Sequence, residues 1–300
     1  MIVTLLLGSV FYINESDKLF KFGIVYSIIV SFFSFYISFD ITIVDNIYYY
    51  IFVYLKIHLL AVVLSLCFKK ELNMKNTVVF LFSIIILACI FELSKYKFID
   101  KINFSKELST GIEQYVTDYV KTLENTGLNF DSEQVYNLFF KVKDIILLLY
   151  PSFVVIASLI EAYMIYFLSR TVIGCVSRKG FTDDFRLRNF YIGKSLSFIV
   201  LIFLLVSTKD SMFENVVYNF TLIASFLYFI NGFAVVEYML NKVIKRNLML
   251  YICMFFILIV SFVTVILLPT INGISIMFII GITDSSFDYR KLRPKKFFIK

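Results

Sequence analysis

Apolar runs of about twenty residues, separated by short basic loops, recur along most of this chain, and no other feature restricts its fold as much. Such runs lie at 19–39, 47–68, 77–94, 145–169, 189–207, 216–241 and 249–268. Each is about the length a helix needs to cross ~30 Å of hydrocarbon at ~1.5 Å per residue. Two shorter runs, 2–13 and 273–283, flank the set. None alternates with a period of two, so the spans are helices and not barrel strands. Hydrophobic residues make up 60% of the chain and charged residues 17%. A soluble average carries about 25% charged residues, so a cytosolic globular domain is excluded, and the same composition excludes disorder. The expected fold is an all-α polytopic membrane bundle of seven to nine segments, counting the short runs.

The loops set the orientation. With the end of the sequence placed in the cytoplasm, segments 14–21, 69–76, 170–188, 242–248 and 284–300 carry 19 basic residues. The opposite side carries eight, of which seven fall in the long segment 95–144 among eight acidic residues. Short loops alone therefore score 19 to 1, and Lys and Arg favour the cytoplasmic side. The formal charge of +7 follows from this distribution. It does not form the folded basic patch of a nucleic-acid binder. Heavy use of Ile, Lys, Asn, Phe and Tyr points to an AT-rich bacterial genome, and the expected location is the inner membrane. The run beginning at Met1 lacks the basic n-region and cleavage site of a signal peptide. Either the chain is naturally short or its start lies upstream.

Residues 96–144 form the one long polar stretch and divide the chain into helices 1–95, an insertion, and helices 145–300 with a basic tail. Leu108, Ile112, Tyr115, Val116, Tyr119, Val120 and Leu123 recur at helical spacing, which predicts an amphipathic helix with those residues inward. Gly127 suits its end. Asp131, with Gln134 three residues on, reads as the N-cap of a second helix. That helix has Val135, Leu138, Phe139 and Val142 inward and runs directly into the span at 145, with Pro151 as a point of kinking. The pair is expected as an extracytoplasmic hairpin, lying on the membrane surface or covering an external cavity.

Ionisable groups inside spans cost about 2.5–3.5 kcal/mol each on insertion scales, so each needs a reason. Lys56 and His58 lie mid-run, as does Glu161; Asn231 sits near the middle of 216–241, with Glu237 further inward. Two residues apart, Lys56 and His58 point about 200° apart on a helix and make no site alone. The economical arrangement is a Lys56–Glu161 ion pair. The alternative is a ligand site drawing on Lys56, His58, Glu161 and Asn231. Asp284 and Asp288, at i and i+4, with Arg290 beyond, close the last run as a topological anchor or a docking point for a cytoplasmic partner. Cys67, Cys89, Cys175 and Cys253 lie in or at the ends of apolar runs and read as small hydrophobes. No metal-ligand spacing, phosphate-binding loop, HExxH or GxSxG occurs, so neither metal, cofactor nor catalysis is expected.

Two stretches carry a resemblance. Phe229-Ile230-Asn231-Gly232-Phe233-Ala234-Val235-Val236 resembles the "QG-L-A-V/I" stretch of the YybS-like family of bacterial polytopic membrane proteins. Gly281-Ile282-Thr283-Asp284-Ser285-Ser286-Phe287-Asp288-Tyr289-Arg290-Lys291 is similar to that family's closing pattern, as is the basic loop with Phe185 and Arg188 to its counterpart. Asn231 stands in place of the glutamine, and Ser286 where tryptophan is usual. The family in turn resembles, distantly, the substrate-binding S components of energy-coupling-factor transporters. That resemblance implies solute capture from outside, in partnership with an ATPase. The other reading is a membrane scaffold whose basic face recruits a partner.

Overall fold

The computed structural model describes residues 8, 43–70, 72, 74–98, 101, 103–125, 131–177, 187–205, 211–267 and 273–292. Among these, eight α-helices form and no strand. They are α1 (Ile43–Lys69), α2 (Met74–Phe98), α3 (Phe104–Asn125), α4 (Ser132–Ser177), α5 (Lys194–Leu205), α6 (Ser211–Val243), α7 (Asn247–Leu267) and α8 (Gly273–Phe287). The expected spans at 2–13 and 19–39 lie outside the described residues, apart from Gly8, as does the expected helix stop at Gly127. Three described helices, Met74–Lys95, Glu133–Ile173 and Glu214–Val243, contain stretches long and apolar enough to cross a membrane. Large apolar side chains stand outward on them and on α7, with Leu87 65% and Phe255 61% exposed. Patches of that kind on helices of this length are what lipid covers.

The chain forms two compact units. The first holds residues 1–147 and 153–182, and the second holds 148–152 and 183–300. In the first, α1 buries Leu60, Ala61, Leu64, Cys67 and Phe68, the i, i+4, i+7 stripe of one face, while α2 buries Leu81, Ile85 and Ala88. From α4, Ser158, Ala162, Ile165, Ser169 and Ile173 are buried. Their small members allow close helix approach, as in membrane interfaces. Phe68 stacks on Tyr166 with ring centroids 5.7 Å apart.

The amphipathic helix predicted in the insertion is α3. Asn103 accepts from the Lys106 N–H at 3.3 Å at its start. Asp131 caps α4 as its position foretold, accepting from Glu133 N–H at 3.0 Å and Gln134 N–H at 3.2 Å. α4 then continues without a break into the apolar run, 46 residues or about 69 Å in all. Glu113 pairs with Lys143 at 2.8 Å, and Tyr119 meets Phe139 edge-on, so α3 and the first turns of α4 run antiparallel. Two details differ from the sequence pattern. Of the seven residues expected inward on α3, Val116 and Val120 are buried and Tyr115 is 68% exposed, and Leu138 and Val142 of α4 point outward. Leu138, Val142 and Ile145 share a face with Phe153 and Ile160 further along the same helix, all exposed. The outward apolar stripe of the span thus extends into the insertion.

In the second unit, Pro151 deprives α4 of one ladder hydrogen bond. Beside it, the Asn219 amide of α6 enters the ladder. Its Oδ1 accepts from the Ser152 N–H at 3.1 Å, and its Nδ2 donates to the Leu148 carbonyl at 2.8 Å. Those are the two groups that would bond each other in an unbroken helix. The Ser152 hydroxyl donates to Asn219 as well. Side-chain insertion next to the proline gives both of these backbone groups a partner.

The span expected at 189–207 starts later in the structure. A 3₁₀ turn occupies Leu187–Asn189, residues 190–193 are non-helical, and α5 begins at Lys194. The reason is tertiary: the Arg188 N–H donates to Glu237 Oε2 at 2.7 Å, and the Ile192 carbonyl accepts from the Ser285 hydroxyl at 2.7 Å. Side chains from other helices satisfy this backbone, so it need not coil. Ile192, Val200, Ala224 and Tyr228 form a buried cluster around it. The last short run forms its own helix, α8, to Phe287.

Candidate functional site

α6 and α8 touch backbone to backbone. A Cβ on Gly232 would lie 1.9 Å from the Met277 carbonyl oxygen, and one on Gly281 would lie 2.0 Å from the Tyr228 carbonyl oxygen. No side chain fits at either position, so glycine here is a requirement of the crossing. On α8, Met277 and Gly281 lie one turn apart against α6, whereas Gly273, a turn earlier, lies against Ser261 of α7.

Around that crossing lies a buried polar node. Arg290, folded back past the end of α8, donates from Nε and Nη2 to Asp284 Oδ2 at 3.1 and 2.7 Å. Its Nη2 also donates to Asn231 Oδ1 and its Nη1 to the Arg188 carbonyl, both at 2.8 Å. Asn231 Nδ2 in turn donates to the Gly281 carbonyl at 2.8 Å. Both side chains of the ion pair are 0% exposed. Asp284 Oδ1 is buried without a hydrogen-bond partner. The fold-back depends on Asp288, which adopts φ 54° and whose N–H donates to the Asp284 carbonyl at 2.6 Å. That is a left-handed helix cap, a conformation Asp tolerates better than most residues. Asp288 Oδ1 then accepts the Leu292 N–H at 2.8 Å.

A second chain of hydroxyls lies alongside. Ser285 donates to the Ile192 carbonyl, and Ser197 donates to Ser285 at 2.9 Å. Each hydroxyl has one proton, so Tyr228, 2.8 Å from Ser197, must be the donor in that contact.

In the first unit, Lys56 Nζ lies 3.6 Å from Glu161 Oε1, with the side chains 24% and 35% exposed. This is the ion pair that economy favoured. His58, on the same helix, is half-buried. Asn231 belongs to the other unit, where its amide is committed to Arg290 and Gly281. Asp284 and Arg290, read from sequence as an anchor, bond each other, and Arg290 also donates to the Arg188 carbonyl. The contributions of Ser197, Ser285 and Tyr228 had no signal in the sequence beyond being small or polar in apolar runs. Among the described residues no group of three His, Cys, Asp or Glu could hold a metal ion.

Helices of this length and outward apolarity, with polar groups gathered into buried knots, define a helical integral membrane protein. The comparison with known families agrees. The family DUF2232, described as a predicted membrane protein, matches residues 5–284, and the chain belongs to it. No curated protein and no solved structure matches the chain. The match covers Arg188, Asn231, Gly281 and Asp284 of the node and ends before Asp288 and Arg290.

Proposed function

We propose that the protein is a multi-pass protein of the bacterial inner membrane that binds a small charged solute at Lys56 and Glu161 as a transport-related component. The asymmetry of the basic loops supports a cytoplasmic end to the sequence and an extracytoplasmic α3–α4 pair. The observation that carries the binding role is the looseness of the Lys56–Glu161 pair. At 3.6 Å it exceeds hydrogen-bond reach, and about a quarter to a third of each side chain is accessible. The Arg290–Asp284 pair, by contrast, is closed at 2.7 Å and fully buried. A zwitterionic solute, its carboxylate on Lys56 and its ammonium on Glu161, can enter between the loose pair without leaving a charge unpaired in the membrane. The role is binding and not catalysis. The resemblance to S components supports an ATPase partner as the source of energy.

The closed node favours a second reading, a scaffold that recruits a cytoplasmic partner. Native mass spectrometry of the protein released gently from its own membranes separates the two. The solute-binding reading expects a co-purifying small molecule that disappears in Lys56→Met/Glu161→Met, a double variant that leaves no lone charge, with the melting temperature preserved. A stoichiometric protein partner without any small molecule would sink it in favour of the scaffold.

A further inference from the structure

We infer that Asn231, Asp284 and the Arg188 carbonyl form a binding pocket for a guanidinium group supplied by another molecule, and that Arg290 is its tethered occupant. The three acceptors come from separate segments and suit a planar fork of donors. Nε and Nη2 of Arg290 donate to Asp284 Oδ2, Nη2 donates again to Asn231 Oδ1, and Nη1 donates to the Arg188 carbonyl. A lysine ammonium is a compact point charge and does not match such a set. Each acceptor is positioned by a group other than Arg290. Asn231 is oriented by the hydrogen bond from its Nδ2 to the Gly281 carbonyl at 2.8 Å. The Arg188 backbone is held by its N–H, which donates to Glu237 Oε2 at 2.7 Å. Asp284 stands on α8, which Gly281 brings against the α6 backbone. The acceptor set therefore does not depend on its occupant.

Three features make Arg290 replaceable. It lies past the end of α8 at Phe287, so its departure breaks no helical ladder. The turn that folds it back, closed by the Lys291 N–H on the Asp288 carbonyl at 2.9 Å, has left-handed backbone on both sides of Arg290, φ 54° at Asp288 and 55° at Lys291. Residues other than glycine are strained in that region, and such strain gathers at ligand clamps and switches. Finally, Arg290 reaches Asp284 through Oδ2 alone and leaves Oδ1 buried without a hydrogen-bond partner. A guanidinium free of the turn can pair with both carboxylate oxygens side by side, which is the stronger geometry. The pocket lies wholly in the second unit, and the inference is independent of the solute reading at Lys56 and Glu161.

The test follows the melting temperature of the full chain in uncharged detergent as n-propylguanidinium, a copy of the arginine side chain, is added, with n-propylammonium at equal ionic strength as the control. A ligand that binds only the folded protein raises the melting temperature. Arg290→Ala should show a saturable rise with the guanidinium compound alone, at a concentration at least about tenfold lower than the wild type needs, because a site closed roughly nine-tenths of the time or more loses that factor in apparent affinity. Arg290→Lys, which keeps a cation beside Asp284, gives the same readout in case the alanine variant does not fold. Asp284→Leu/Arg290→Met, which removes the carboxylate, should show no rise. A doubly capped arginine tripeptide, run as a second series, separates two sources of the group. Tighter binding of the peptide assigns the pocket to an arginine on another protein, and tighter binding of propylguanidinium assigns it to a free solute. The inference is overturned when neither Arg290 variant gains affinity over the wild type, when propylammonium acts as well as propylguanidinium, or when the apolar double variant responds equally.

Discussion

Replacing Asp284 by alanine removes the carboxylate that is paired with a fully buried guanidinium. Arg290 keeps two acceptors, Asn231 Oδ1 and the Arg188 carbonyl, both at 2.8 Å, but loses the charge it was paired with. Breaking a buried ion pair by deleting one partner costs about 3–5 kcal/mol. The two surviving hydrogen bonds hold the expected loss to the lower end, about 3 kcal/mol. For a chain of this size that is a fall in melting temperature of roughly 5–10 °C. The assay is thermal and denaturant unfolding of the full chain in mild detergent, with helicity as the signal. The decisive comparison is Asp284→Leu/Arg290→Met, which removes both charges and fills the space. Apolar replacement of a buried pair is neutral or stabilising in other proteins, so the double variant should be at least 2 kcal/mol more stable than Asp284→Ala, about the part of the loss due to the lone charge. A loss under about 1 kcal/mol for the single variant would refute the reasoning, since it would mean that Arg290 readily escapes to water. A double variant no better than the single would refute it equally.

Further consequences follow from the geometry. Gly281→Ala places a methyl group against the Tyr228 carbonyl and should cost at least about 2–3 kcal/mol, because the clash is with backbone. Gly111→Ala, where nothing lies within 4 Å, should stabilise α3 by up to about 1 kcal/mol, and the two melts taken together check the claim. Asn219→Leu strips partners from the Ser152 N–H and the Leu148 carbonyl, so amide exchange around Ser152 should accelerate at least about tenfold, one lost hydrogen bond's worth; unchanged exchange would show that the asparagine does not hold this ladder. The hydrogen bond from Lys143, aided by Ser109, holds the Glu113 carboxyl below its usual range. A lowered folded-state pKa means its contribution is present above the unfolded value near 4.5 and is lost as pH falls through the folded value. Hydrogen-exchange protection of α3 should therefore drop over that acidic window in the wild type, and Glu113→Gln should remove the dependence.

Most of the helices were legible because a membrane span is written in the sequence itself: apolar length and loop charge are both local quantities. The Asp131 cap was legible for the same reason, since donor and acceptor lie within three residues. The inward face of α3 was only half legible. Periodicity identifies an apolar stripe but does not say whether protein or lipid covers it, and Tyr115 and Leu138 point away from the packed side. The late start of the helix in the 189–207 run was invisible. It depends on Glu237 and Ser285, 49 and 93 residues from the backbone groups they satisfy. The Lys56–Glu161 pair could be inferred only because few charges occur within spans. The surroundings of Asn231 could not, since its partner Arg290 lies beyond the last apolar run and looks from sequence like a surface anchor.

The two stretches that carried the family resemblance, 229–236 and 281–291, are the two that meet at the α6–α8 crossing, and Arg188 of the third resembling segment bonds there too. This arrangement has a physical basis. Between apolar helices in lipid there is little hydrophobic force to choose one register over another. The glycines bring the backbones together, but a glycine face alone permits sliding. Asn231, Asp284 and Arg290 remove that freedom, because a shift of one residue along α8 would separate the Gly281 carbonyl from Asn231 and leave a guanidinium buried beside apolar atoms. A single buried polar residue fixes register in coiled coils in the same way. The node therefore acts as a specificity element, whatever its net contribution to stability. The apolar double variant tests this as well: it should melt no lower than the wild type, yet cross-linking between cysteines placed on α6 and α8 should become spread over several registers, where the wild type gives one.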